Sequence, residues 1–123
     1  LGPDGAIVNV SSVEASVAFP NHAHYAAAKA ALESFTRSLA LDIAPRGMRA
    51  NAIAPGLIER PGLAQDWPQG YDWWTATAPS GRPVTATQVA QAVAFLIGPH
   101  STGINGVVLP VDGGWSASAR APF

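Results

Sequence analysis

Two short apolar runs, residues 6–10 and 48–54, stand on either side of a stretch with helical periodicity long enough to carry the chain back across a sheet. Parallel strands need such a crossover, and a helix is its usual form. The first run, Ala6-Ile7-Val8-Asn9-Val10, is continuous instead of alternating, as expected for a parallel strand covered on both faces. Over residues 22–44, Leu32, Phe35, Leu39 and Ile43 recur at three- and four-residue intervals. Pro45 and Gly47 then stop the helix. The second run reads as the next strand, with Arg49 and Asn51 interrupting its apolar side. This order predicts an α/β architecture, a doubly wound parallel sheet with right-handed crossovers.

The pattern resumes near the end of the chain. Thr85-x-x-Gln88 is a capping box flanked by Val84 and Val89 as a hydrophobic staple, predicting a helix that runs to Ile97 and ends at Gly98-Pro99. Residues 107–111 form the last predicted strand, and Pro110 suggests that its far end lies near a sheet edge. Between these parts, residues 57–82 are too long and too aromatic for a simple connector. They hold Trp67, Tyr71, Trp73 and Trp74, with Pro61, Pro68 and Pro79 breaking regular structure. Two readings stay open: a lid over a substrate, or indoles packed onto the domain or a neighbouring subunit.

Composition excludes several functions. A formal charge of −1 offers no electrostatic footprint for nucleic acid or an acidic membrane. No apolar run is long enough to span a bilayer, so a soluble protein is expected. The absence of cysteine removes disulfides and thiolate chemistry and is compatible with a cytoplasmic setting. Nearly half of the 123 residues are apolar, enough in number for one core.

Chemistry concentrates in Ser12, Tyr25 and Lys29. Tyr25 and Lys29 are four residues apart and share one helix face, so the Lys29 ammonium can come near the Tyr25 phenol and favour its phenolate. Such a phenol can exchange a proton with a carbinol or carbonyl. Ser12, at the end of the first strand, supplies a hydroxyl for the same oxygen if strand end and helix start converge. Sites in doubly wound sheets lie beyond the carboxyl ends of the strands, and Ser12 and Pro55-Gly56 both fall there. The remaining polar residues suggest less. His22 and His24 have no third ligand in view for a metal, though either could line a cleft. Asn21 is the predicted helix cap, His100 a loop residue, and Glu33 and Asp42 a solvated helix face. Asp112-Gly113-Gly114 reads as a tight turn.

The segments Gly5-Ala6-Ile7-Val8-Asn9-Val10-Ser11-Ser12, Tyr25-x-x-x-Lys29, Arg49-Ala50-Asn51-Ala52-Ile53-Ala54-Pro55-Gly56 and Leu109-Pro110-Val111-Asp112-Gly113-Gly114 agree in order and separation. Together they resemble the C-terminal half of the short-chain dehydrogenase/reductase family, of the classical type, over about residues 5–115. The resemblance implies the C-terminal part of a Rossmann-like doubly wound sheet that binds NAD or NADP. It also implies a catalytic segment over 5–60, a substrate lid over about 57–82, and a closing helix and strand over 85–115. By resemblance, Tyr25 is the catalytic acid/base, Lys29 tunes it and holds the nicotinamide ribose, and Ser12, not Ser11, orients the substrate. Pro55, Gly56 and Ile58 match the loop against the nicotinamide. Arg60 stands where the family often has a threonine that helps with the cofactor.

The expected activity is interconversion of a secondary alcohol and a ketone, in a homodimer or homotetramer with the long helix at one interface and the tail after Trp115 near another. The alternatives are a non-catalytic scaffold of the same fold or an inactive truncated fragment. The chain begins at Leu1 and its only methionine is Met48, so a fragment is expected, lacking the N-terminal nucleotide-binding half with its glycine-rich turn. The family's catalytic asparagine is expected in that half too, since Asn9, Asn21, Asn51 and Asn105 do not stand in its place.

Overall fold

The computed structural model describes residues 2–118, so the end of the tail after Trp115, residues 119–123, lies outside the described residues. Three strands, β1 (Ala6–Val10), β2 (Arg49–Pro55) and β3 (Val108–Val111), form one parallel sheet in the order β1-β2-β3. Helix α1 (Ala23–Ile43) connects β1 to β2. The short α2 (Leu63–Asp66), α3 (Pro68–Thr77) and α4 (Ala86–Ile97) lie between β2 and β3. No helix among the described residues is long and apolar enough to cross a membrane.

β2 is the central strand and holds the core: Ala50, Ala52 and Ile53 are fully buried. α1 is built on alanine, the strongest helix former, and turns Thr36, Ala40 and Ile43 inward at helical spacing. Ala40 and Ile43 pack with Met48 and Ala50, while Thr36 Oγ1 accepts from Asn9 Nδ2 at 2.9 Å and so fixes α1 against β1. Gly47 caps the single 3₁₀ turn that follows, with φ of 75°, a conformation that glycine adopts freely. β1 is an edge of this sheet, and none of its residues is fully buried.

The polar residues that interrupt β2 have structural work. The Arg49 guanidinium donates to the carbonyls of Ile104 at 2.8 Å and Leu96 at 3.0 Å, binding the end of α4 and the loop after it. Asn51, fully buried, donates to Ile104 O and accepts from Val107 N–H. Asn105 answers from the loop, accepting from Ala50 N–H and donating to Ala40 O. These bonds set the register in which β3 joins β2. Pro110 sits on the edge strand, as expected.

Two expectations for the helix ends fare differently. The capping box at Thr85 forms: Thr85 Oγ1 accepts from Gln88 N–H and Gln88 Oε1 from Thr85 N–H. Asn21, however, does not cap α1. It takes φ of 64° in the turn before the helix, and His22 occupies the N-cap position with no side-chain capping bond. Pro68, expected to break structure, instead opens α3 from its first turn, where a missing N–H costs nothing.

Candidate active site

Ser12 leaves β1 in an extended conformation and caps a 3₁₀ turn, Val13–Ala15, its Oγ accepting from Glu14 N–H at 3.1 Å. The bond occupies one lone pair of the hydroxyl and leaves its proton free to donate. Ser11 points the other way: its Oγ donates to Glu33 Oε1 at 2.8 Å, within the packing of α1 on the strand. That bond corrects the expectation of a solvated Glu33, whose carboxylate is half-buried and engaged.

Tyr25 and Lys29 lie on the first two turns of α1. The Lys29 ammonium reaches across to Val10 O at 2.9 Å, tying the start of the helix to the end of β1. Its Nζ lies 5.6 Å from the centroid of the Tyr25 ring, within cation–π range. A cleft of about 290 Å³ brings Ser12 and Tyr25 together with Gly56 and Ile58, and its remaining lining includes Glu14, Phe19, His22, Trp67, Trp73 and Trp74. Lys29 and Pro55 do not line it: Lys29 stands beside Tyr25, and Pro55 is buried as the last residue of β2, paired with Val111. Gly56 N–H donates to Val111 O at 3.0 Å, which holds the turn beyond β2 against β3.

His22 and Glu14 form a pair at this cleft, His22 Nδ1 and Glu14 Oε1 standing 2.6 Å apart. The possibility of His22 in the cleft was open from the sequence, but Glu14 carried no signal, because a separation of eight residues across a turn has no periodicity to mark it. No cluster of three metal-ligating side chains occurs among the described residues. Arg60 turns to Asp66 Oδ2 at 2.7 Å on the exposed surface.

Residues 57–84 leave and re-enter the fold at one point. Ile58 and Val84 form a parallel bridge, with Val84 N–H donating to Leu57 O and Glu59 N–H to Val84 O. Within this excursion the indoles divide. Trp74 is 3% exposed, stacks on Trp115 at 5.3 Å between centroids, and packs with Val13 and Ala78. Trp73 is 41% exposed and faces the cleft. Gly70 admits Trp67, whose indole covers the space that a β-carbon there would take. Asp112 folds back on its own turn, its carboxylate accepting from Gly114 N–H and Ser116 N–H, as the tight turn read from Asp-Gly-Gly requires.

Residues 1–116 match the family model described as Enoyl-(Acyl carrier protein) reductase. The 2-(R)-hydroxypropyl-CoM dehydrogenase of Xanthobacter autotrophicus is 43% identical over 116 residues, covering 92% of this chain and 46% of that protein. Among solved structures, a gluconate 5-dehydrogenase from Burkholderia cenocepacia in complex with NADP and tartrate superposes with a TM-score of 0.87 at 33% identity, covering 95% of this chain and 47% of that one. An oxidoreductase of the short chain dehydrogenase/reductase family from Burkholderia thailandensis gives a TM-score of 0.85 at 37% identity, over 94% of this chain and 46% of the other. The chain spans about half the length of the curated relatives it matches.

Proposed function

This chain belongs to the short-chain dehydrogenase/reductase family, and from that premise we propose that the protein carrying it is an NAD(P)-dependent oxidoreductase that interconverts a secondary alcohol and a ketone. The observation that carries the reading is the convergence of Ser12 and Tyr25 on one cleft at the carboxyl ends of the strands, with Lys29 tethered beside Tyr25.

Each residue has a distinct task in this reading. The Ser12 hydroxyl, with its proton unassigned after accepting from Glu14, donates to the substrate oxygen and holds it at the Tyr25 phenol. Tyr25 takes the hydroxyl proton in the oxidative direction and returns it in reduction. Lys29 keeps the start of α1 against β1 and so keeps phenol and serine facing one another. The trio supports the roles expected for it, and Gly56 and Ile58 supply the wall on the β2 side.

The donor set also fits the ribose end of NAD(P). An ammonium has three N–H donors, and Lys29 gives one to Val10, leaving two for neighbouring hydroxyls. Lys29 and Tyr25 would hold the ribose, with Pro55, Gly56 and Ile58 beside the nicotinamide. When bound, NAD(P) supplies the hydride acceptor or donor. Assembly as a homodimer or homotetramer through α1 agrees with the exposure of Phe35 and Leu41 on that helix.

The test is Tyr25→Phe in the full-length protein. Turnover of alcohols and ketones should fall by about 10²–10⁴-fold, with NAD(P)H affinity retained. Near-normal turnover would refute the assignment.

A further inference from the structure

We infer that His22, held by Glu14, is a specificity-determining residue that binds a second hydroxyl of the substrate, on the carbon next to the reacting carbinol; the inference rests on the oxidoreductase reading and names its substrate class, a vicinal diol. His22 is the N-cap residue of α1, a position whose side chain ordinarily bonds an N–H of the first turn, yet it makes no such bond. Its ring turns instead to the Glu14 carboxylate, with Nδ1 and Oε1 2.6 Å apart. Two further rings hold it there: Phe19 lies nearly parallel at 6.5 Å and 28°, and Tyr25 meets it at 6.3 Å and 65°. His22 and Glu14 both line the cleft that holds Ser12 and Tyr25.

Glu14 ties this imidazole to the reacting groups. Its backbone N–H holds the Ser12 hydroxyl oxygen at 3.1 Å while its carboxylate holds His22, so one residue sets the position of two others. The Glu14 side chain is only 17% exposed, which gives the carboxylate to this bond more than to solvent. A substrate oxygen held between Ser12 and Tyr25 therefore has the imidazole as a near neighbour, a span that suits a second oxygen on the adjacent carbon. An ionised carboxylate only accepts, so the bond to Glu14 puts the proton of a neutral imidazole on Nδ1 and leaves Nε2 as an acceptor. The complement of that lone pair is a donor, and a second hydroxyl supplies one. This hydroxyl keeps its proton through the reaction; the carbinol oxygen gives its own to Tyr25. A site that fixes one tautomer in this way discriminates against ligands that leave the acceptor unpaired.

The experiment uses the full-length protein with the vicinal cis-cyclohexanediol, its monomethyl ether, and cyclohexanol. Steady-state kcat/KM is measured for each, and binding of the diol and of cyclohexanol is measured by ligand-observed NMR. The diol should exceed both comparison alcohols by about tenfold in kcat/KM. His22→Phe, which retains a ring between Phe19 and Tyr25 and removes both nitrogens, should cut that ratio about tenfold. Glu14→Gln makes a smaller change: its amide can donate to Nδ1 and move the ring proton to Nε2, so the ratio of diol to methyl ether should narrow several-fold. Each readout compares substrates on one variant, so a general loss of activity or stability cancels. Turnover with no diol preference in the wild type, or with a preference unchanged in His22→Phe, overturns the inference and leaves the oxidoreductase reading standing. An unchanged ratio in Glu14→Gln overturns the part assigned to Glu14, and failure of the diol either to bind or to turn over overturns the whole. Diol binding that weakens in His22→Phe, without turnover of any compound, supports the site at His22 and removes the oxidoreductase reading instead.

Discussion

The indole of Trp74 fills the space that a β-carbon on Gly56 would require, and Asp112 closes that space from the other side. The glycine beyond β2 is therefore a packing requirement that joins three turns, those after β2, within α3 and after β3. Gly56→Ala should destabilise the full-length protein by about 1–3 kcal/mol, the usual cost of overpacking a filled site. Urea denaturation checks this, and adding Trp74→Leu should recover part of the loss, because the two sites are in contact. Additive losses in the double variant would show that the contact is not the cause.

Adjacent serines should separate into two roles. Ser12→Ala removes the hydroxyl in the cleft and the cap on Glu14 N–H, so turnover should fall steeply with a stability loss of about 1 kcal/mol. Ser11→Ala loses the bond to Glu33, costing about 1 kcal/mol with turnover nearly unchanged. Parallel melts and initial rates on both variants decide the matter; a greater loss of turnover in the Ser11 variant would reverse the assignment.

Lys29→Met should damage turnover and cofactor affinity together. It removes the charge beside Tyr25 and also the anchor to Val10 O. A charge-assisted hydrogen bond lost to the ribose corresponds to about 1.5–3 kcal/mol in NAD(P)H binding. Titration of cofactor fluorescence measures that term separately from the rate, and retention of full affinity would exclude Lys29 from the ribose.

Asn51→Leu should be among the most destabilising single changes in β2. The amide is fully buried, and its loss strands Val107 N–H and removes one of the two donors to Ile104 O, which keeps Arg49. Each buried group left without a partner costs about 1–3 kcal/mol. Hydrogen exchange at Val107, just before β3, should accelerate ahead of that of β2; unchanged protection there would mean that the amide bond contributes little.

The sequence was most legible where a local rule determines structure. Alanine and apolar spacing marked α1, Thr85-x-x-Gln88 marked the start of α4, and a continuous apolar run marked β1 and an interrupted one β2, to within a residue or two. Tertiary partners were harder to read. Arg49 and Asn51 looked like interruptions because the carbonyls that they satisfy belong to residues more than forty positions away. Glu33 looked solvated because its partner, Ser11, meets it only once α1 lies across β1. Asn21 had the chemistry of a cap, but the turn places it in the left-handed region one residue too early. Residues 57–82 kept two readings open; Trp74 packs inward onto the domain, and Trp73 lines the cleft.

The bridge between Ile58 and Val84 closes the aromatic excursion at its base, so it leaves and rejoins the frame at one point. Ser12, Tyr25 and Lys29 all belong to the frame, and Trp67 and Trp73 to the insert. An engineer grafting loops between relatives therefore has a natural pair of seams at which to cut, and such a graft would leave Ser12, Tyr25 and Lys29 unchanged.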